Sequence, residues 1–237
     1  MSSDMNVTGW LQGLFEISKT AKHRVGTLRI TADGRAFRYA KAGGTLVAGY
    51  ATVAAQAAAA HVDEACPAVA VGVSQITLTV TAGTAIAADN LAGGMLAIHD
   101  GGVQYQIDSN AAIGAGDTSI VVTLDEAIRV ALTTSNAFSL FANPWMDVTS
   151  SSTDENFCTG VCPTAVTDDY YYWSQTKGCA NALILNTPAV GSNLIYSPSG
   201  ALAVIAGSVD VDVPIVGTMY GSAGVTTDFG TVFLQID

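Results

Sequence analysis

At 237 residues the chain has room for one large or two small domains. Only 12% of residues are charged, with Glu confined to Glu16, Glu64, Glu126 and Glu155, while Gly reaches 24; this excludes the Glu- and Lys-rich surface of a helical protein and fits a β-protein with many tight turns. The net charge of −11 is split along the chain: residues 1–41 hold seven bases against three acids (+4), and residues 42–237 hold two bases against seventeen acids (−15).

Residues 1–24 show no clear period. Trp10, Leu11, Leu14, Phe15 and Ile17 would share a helical stripe, but Gly9 and Gly13 weaken a helix. The segment reads as an extended arm whose apolar residues anchor on a partner or cover the chain's own core. Residues 25–30 and 36–40 are β-prone and flank Asp33-Gly34, the strongest short-range hairpin signal. Arg24, Arg29, Arg35 and Arg38 place cations along this hairpin. Gly43-Gly44 breaks the chain before an apolar run over 45–53. The alanines at 54–60 suit a short helix or a flat extended strip.

From residue 73 the pattern has period 2. Residues 73–80 alternate as a half-buried strand. Short strands follow at 84–87, 95–99, 103–107, 119–124 and 137–141, with Asp100-Gly101-Gly102 as a further hairpin turn. Residues 146–163 are rich in Ser, Thr and Asp and read as a long exposed loop or linker. A second β-run covers 169–175, 182–185, 194–196, 201–206, 213–219 and 231–236. These readings predict an all-β chain of antiparallel β-barrel or β-sandwich domains with an extended N-terminal arm and little helix. The expected division is an arm and basic hairpin over 1–62, a barrel or sandwich over 63–145, and a second β-domain over 146–237.

Within the second run, Tyr170-Tyr171-Tyr172-Trp173 is the densest aromatic patch. In a strand, Tyr171 and Trp173 share one face and Tyr170 and Tyr172 the other. One pair belongs to a core; the other flanks a sheet edge or touches a partner or glycan. Of the four cysteines, Cys158 and Cys162 flank Thr159-Gly160-Val161 in the polar loop. They read as free or structural thiols, as a disulfide, or as metal ligands with Cys179; the lone spacing of four and the lack of a nearby His weaken the metal reading.

Motifs that carry chemistry are missing. The chain has no phosphate-binding G-x-x-x-x-G-K-[ST], no G-x-G-x-x-G, no G-x-S-x-G and no H-E-x-x-H. His23, His61 and His99 stand far apart, and His99 reads as an exposed turn residue. Asp210 and Asp212 have strand spacing and read as a solvated face or a cation pair; Asp168-Asp169 is the other acidic pair. No cofactor, metal or enzymatic activity is expected. The basic segment is too narrow a footprint for nucleic acid in so acidic a chain. The apolar stretch around 50–60 is too short and too alanine-rich to span a membrane, and the N-terminus lacks the pattern of a secretory signal, so the expected site of synthesis is a cytoplasm.

One resemblance extends from residue 25 through most of the chain. The series Val25-Gly26-Thr27-Leu28, Asp33-Gly34-Arg35-Ala36-Phe37-Arg38-Tyr39-Ala40-Lys41-Ala42-Gly43-Gly44 and Leu46-Val47-Ala48-Gly49 resembles the opening of capsid decoration (cement) proteins of tailed bacteriophages. The later motifs Thr164-Ala165-Val166, Tyr172-Trp173-Ser174-Gln175-Thr176-Lys177-Gly178, Val190-Gly191, Gly200-Ala201 and Ile215-Val216-Gly217-Thr218 are similar too; the Cys158/Cys162 segment stands outside the pattern. The resemblance implies an all-β, non-enzymatic virion protein, bound in many copies to the major capsid protein on the outer capsid surface. Such proteins sit at symmetry axes, which implies a homotrimer. On this reading Trp10, Leu14, Phe15, Arg24, Arg29, Arg35 and Arg38 face the shell, and Tyr171 and Trp173 offer an interface between copies. A phage head-fibre or adhesive module that binds host surface glycans is the second reading.

Overall fold

The computed structural model describes residues 9–150, 157–205, 213–221 and 227–237. The fold is all-β. The first three strands are β1 (Leu28–Ile30), β2 (Ala36–Lys41) and β3 (Ala51–Val53). Six follow in the middle of the chain: β4 (Glu64–Ala65), β5 (Gln75–Thr79), β6 (Met95–Ile98), β7 (Val103–Asn110), β8 (Ser119–Leu124) and β9 (Ala137–Phe141). The last six are β10 (Cys158–Val161), β11 (Tyr171–Ile184), β12 (Asn193–Ser197), β13 (Ala201–Val204), β14 (Ile215–Met219) and β15 (Asp228–Gln235). Helical structure among the described residues is limited to single 3-10 turns at Ala59–His61 and Pro198–Gly200.

The chain forms two compact units where the sequence suggested three parts. Unit 1 joins Met1–Ala55 to Pro144–Asp237, and unit 2 is Gln56–Asn143. The basic hairpin is not separate from the C-terminal β-domain, because β2 pairs with β11 along Tyr171↔Lys41 to Lys177↔Ala36 and so belongs to its sheet. Long-range strand pairing of this kind leaves no mark in local sequence.

In unit 1, β11, β13, β12, β14 and β15 close into a barrel, since β15 pairs back onto β11 from Lys177↔Gln235 to Ile184↔Asp228. The pairs are antiparallel except β11 with β13. Strand alternation fills the barrel. In β15, Gly230, Val232 and Leu234 point in while Phe229, Thr231, Phe233 and Gln235 point out. The lumen holds Ala182, Ile184, Leu194, Tyr196, Leu202, Val216 and Met219; fully burying a Leu, Ile or Val contributes about 1.5–3 kcal/mol.

The first half of β11 lies outside that ring and is covered on both faces. One face carries Tyr172 and packs with Ala40, Leu46, Val148, Cys162 and Val166. The opposite face carries Trp173 with Phe37 and Tyr39, and Trp10, Leu14 and Tyr171 pack on this trio. Residues 9–24 form no helix or strand, but they lie across their own sheet: Ser18 and Tyr171 exchange backbone hydrogen bonds at 3.0 and 2.7 Å.

Unit 2 is a curled antiparallel sheet in the order β4-β9-β6-β7-β8-β5. Its concave face is one apolar cluster that includes Ile76, Leu78, Leu96, Tyr105, Ile107, Ile120, Val122 and Phe138. The strands expected at 119–124 and 137–141 fall there, whereas 84–87 contributes only the isolated pair Ile86↔Ile113. The alanines of 54–60 form neither a helix nor a strip, apart from the turn at Ala59–His61.

Candidate functional site

The residues singled out in the sequence separate into an internal cluster and an outward cleft, both in unit 1. The internal cluster is built on Gln12, which is 1% exposed. Its Nε2 donates to Glu16 O at 2.7 Å and Tyr171 O at 2.9 Å, and its Oε1 accepts the Tyr39 hydroxyl at 2.6 Å. Its carbonyl accepts Arg29 Nη1 at 3.0 Å and Trp173 Nε1 at 3.2 Å. Arg29 is itself buried, with its guanidinium 4.9 Å from the Trp10 ring and 5.5 Å from that of Trp173. His23 lies edge-on to Trp10 and Tyr39 and tilted against Trp173. Burial, and then the Arg29 charge, hold its pKa below the ordinary histidine value. A lone Gln carries no motif, so nothing local in the sequence marks Gln12 as the hub.

This cluster corrects several expectations. Trp10 and Leu14 anchor the arm on its own sheet, and Arg29 is a core residue rather than a cation facing a shell. Arg38 is held by Asp237 through two bonds of 2.9 and 3.0 Å, donates to Gly26 O at 2.9 Å and stacks 4.9 Å over Trp145. Lys41 bridges Asp147 at 2.8 Å and Asp169 at 2.9 Å. Much of the basic segment is therefore spent within the unit. Trp173 is fully buried and Tyr171 partly so, so these two do not offer a free aromatic pair to a neighbour or a sugar. Packing on both faces is a tertiary fact, and the period of the sequence showed only that the two pairs diverge.

The cysteine segment also departs from expectation. Residues 158–161 are a buried strand rather than an exposed loop, and all four thiols are free. An extended strand rises about 3.3 Å per residue, so two positions four apart lie beyond the Cα separation a disulfide spans. Burial pushes Cys158 and Cys162 up to about 12. Among the described residues no group of three His, Cys, Asp or Glu side chains is placed to hold a metal. Asp210 and Asp212 lie outside the described residues. His99 is in the turn expected of it and bonds Asp63 at 3.1 Å and Ser139 at 2.8 Å.

The outward cleft has a volume of about 430 Å³. It forms beside a β-bulge in β11: the register with β2 shifts between Gln175 and Lys177, and Lys177 pairs both with Ala36 of β2 and with Gln235 of β15. Gln175 is 4% exposed and lines the cleft. Its Nε2 donates to Lys177 O at 3.1 Å and Cys179 O at 2.8 Å. Both amide protons are thereby committed, which leaves Oε1 as the acceptor on offer. Phe15, 63% exposed, and Phe229, 41% exposed, supply aromatic walls. Arg35 stands at the rim, paired to Asp33 at 2.7 Å. Hydrogen bonds from Thr31 and from Arg35 draw the Asp33 carboxyl down to about 2, so it is ionised at neutral pH. Gly49 forms part of the wall at φ +79°, and a Cβ there would fall 2.5 Å from the Phe229 ring. Exposed Cys179 and Asn181 complete it.

Of the residues expected to dock, the cleft brings together Phe15 and Arg35. Arg24, also exposed, does not line it. Phe229 and Gln175 were not foreseen; the first precedes the strand expected at 231–236 and the second ends the one expected at 169–175. The site can hold an apolar group between two rings while a donor bonds Gln175, and it shows no nucleophile–base pair. Compared with known protein families, curated proteins and solved structures, the chain matches none. No helix of the described residues is long and apolar enough to cross a membrane.

Proposed function

We propose that this chain is a non-enzymatic virion structural protein that binds the major capsid protein on the outer surface of a tailed-phage capsid and stabilises the shell, docking through the cleft face of unit 1. The observation that carries the proposal is the convergence of Phe15 and Arg35 with Phe229 on one cleft of an otherwise acidic chain. It joins the resemblance in the sequence to a concrete surface. Burying an exposed Phe supplies about 1.5–3 kcal/mol, and repetition over a lattice multiplies a modest single-site affinity into high occupancy. The proposal includes a homotrimer on the shell, with association strengthened as salt screens the acidic bodies over about 8 Å. The adhesive reading has no comparable support, since the Trp173 on which it rested is buried.

The test is sedimentation of the purified protein with undecorated shells of the same phage. The double variant Phe15→Ser/Phe229→Ser changes two exposed side chains, so it folds, and it reduces shell affinity at least about tenfold. Undiminished binding by that variant, or absence of the protein from purified virions, refutes the proposal.

A further inference from the structure

The sheet of unit 2 has two edges, and they differ in kind. At one, β4 has only two residues, carries Glu64 and is followed, after Cys66, by Pro67. Short, charged, proline-flanked edges are the usual protection against unwanted strand pairing. At the other, β5 reads Gln-Ile-Thr-Leu-Thr, with no charge, no proline and no bulge in its register with β8 from Gln75↔Thr123 to Thr79↔Ser119. The edges of unit 1 are blunted too: β1 has three residues with a buried Arg29, and the β3–β10 register shifts at Cys158/Gly160. β5 alone among these is five residues long with no charge, proline or register shift.

The hydrogen-bond phase of β5 is fixed. Leu124 N–H donates to Ser74 O at 2.8 Å, and Val80 N–H to Thr118 O at 3.0 Å. Even-numbered positions therefore face β8, and by the alternation of an antiparallel ladder Gln75, Thr77 and Thr79 direct their N–H and C=O groups to the open side. Among the described residues none of those groups has a backbone partner. The open stretch ends where Thr81 N–H bonds Ala60 O at 3.1 Å. Beside it lies a cleft of about 260 Å³, walled by Pro67, Ala68, Val69, Ala70 and Val73 and reaching Gln75, Ile76 and Thr77.

Charge selects the occupant. Unit 2 carries eight acids, and its single Lys or Arg is Arg129. Register places Asp117 just beyond the Thr79 end of the β5–β8 pair and Asp125 just beyond the Gln75 end, where the adjacent Glu126 pairs with Arg129 at 3.6 Å. A second copy would bring the same acids to the same edge. We propose that β5 is a strand-addition site that takes an extended segment of a partner protein, β-prone and apolar at its centre and carrying Lys or Arg at both ends. Main-chain bonds to Gln75, Thr77 and Thr79 give affinity, and the neighbouring cleft selects an apolar side chain. This surface is separate from the cleft of unit 1 and does not depend on the function proposed for it.

The probe is a capped peptide, Lys-Thr-Val-Thr-Ile-Thr-Lys, titrated into the full chain and followed by amide hydrogen exchange. Exchange at Gln75, Thr77 and Thr79 slows at least about tenfold when the peptide binds, because those protons enter a ladder. Thr77→Pro removes an N–H that β8 does not use, so the sheet is kept and peptide affinity falls at least about tenfold. A peptide N-methylated at alternate residues, tested on the unaltered protein, loses binding whatever the folding of that variant. Replacing both Lys by Glu weakens binding at low salt. No protection of the three amides, equal binding of the N-methylated or Glu-flanked peptides, or a self-associated dimer dissolved by Thr77→Pro each overturns the proposal.

Discussion

Replacing Arg29 by Met tests whether the basic N-terminal segment is structural or a docking surface. Met keeps the apolar stem of Arg and removes the guanidinium. The structure assigns that group a charged hydrogen bond to Gln12 O and contacts with two indole faces. A hydrogen bond to a charged group contributes about 1.5–3 kcal/mol, and each cation–π contact about 0.5–2. Relief of the burial of a charge offsets part of this, and the Gln12 carbonyl keeps its bond from Trp173 Nε1. We expect a net loss of about 2–4 kcal/mol. Trp10, Trp145 and Trp173 are the only tryptophans and all fall in unit 1, so tryptophan fluorescence in urea follows that unit alone. For a unit of roughly 150 residues the loss corresponds to a fall in Tm of about 5–15 °C. Lys19→Met, at an exposed position, stays within about 0.5 kcal/mol. An Arg29→Met loss below about 0.5 kcal/mol, or weakened shell binding with unchanged stability, would refute the internal role.

Two further outcomes are expected. Because the His23 pKa is lowered in the fold, the unfolded chain binds the extra proton first, and stability falls as pH drops below about 6.5; the urea midpoint by tryptophan fluorescence is lower at pH 5.5 than at 7.5, His23→Gln flattens that slope, and an unchanged slope in that variant removes His23 as the cause. Cys179 is exposed while Cys66, Cys158 and Cys162 are buried with raised thiol pKa values; a thiol-specific chromogenic reagent therefore titrates one group rapidly in the native protein and four in denaturant, and two or more fast thiols in the native state contradict the buried β10 strand.

Local sequence determined the β-class, the Asp33-Gly34 hairpin, the period-2 strands β5, β8 and β9, and the divergence of Tyr172 from Trp173, because turn chemistry and side-chain alternation act over a few residues. Tertiary structure decided what those residues do. Whether Trp173 meets solvent depends on an arm whose Gln12 lies 161 residues away, and whether Arg29 is free depends on the rings of Trp10 and Trp173. Excess charge located the basic segment, but its partners Asp147, Asp169 and Asp237 are all distant in sequence. The cleft is likewise non-local: Phe15, Gly49, Gln175 and Phe229 have no common spacing and meet beside the β11 bulge, where Lys177 pairs with both β2 and β15. Local propensity fixes which segments become strands, while the cost of leaving apolar faces and backbone groups unpaired fixes which distant strands they find.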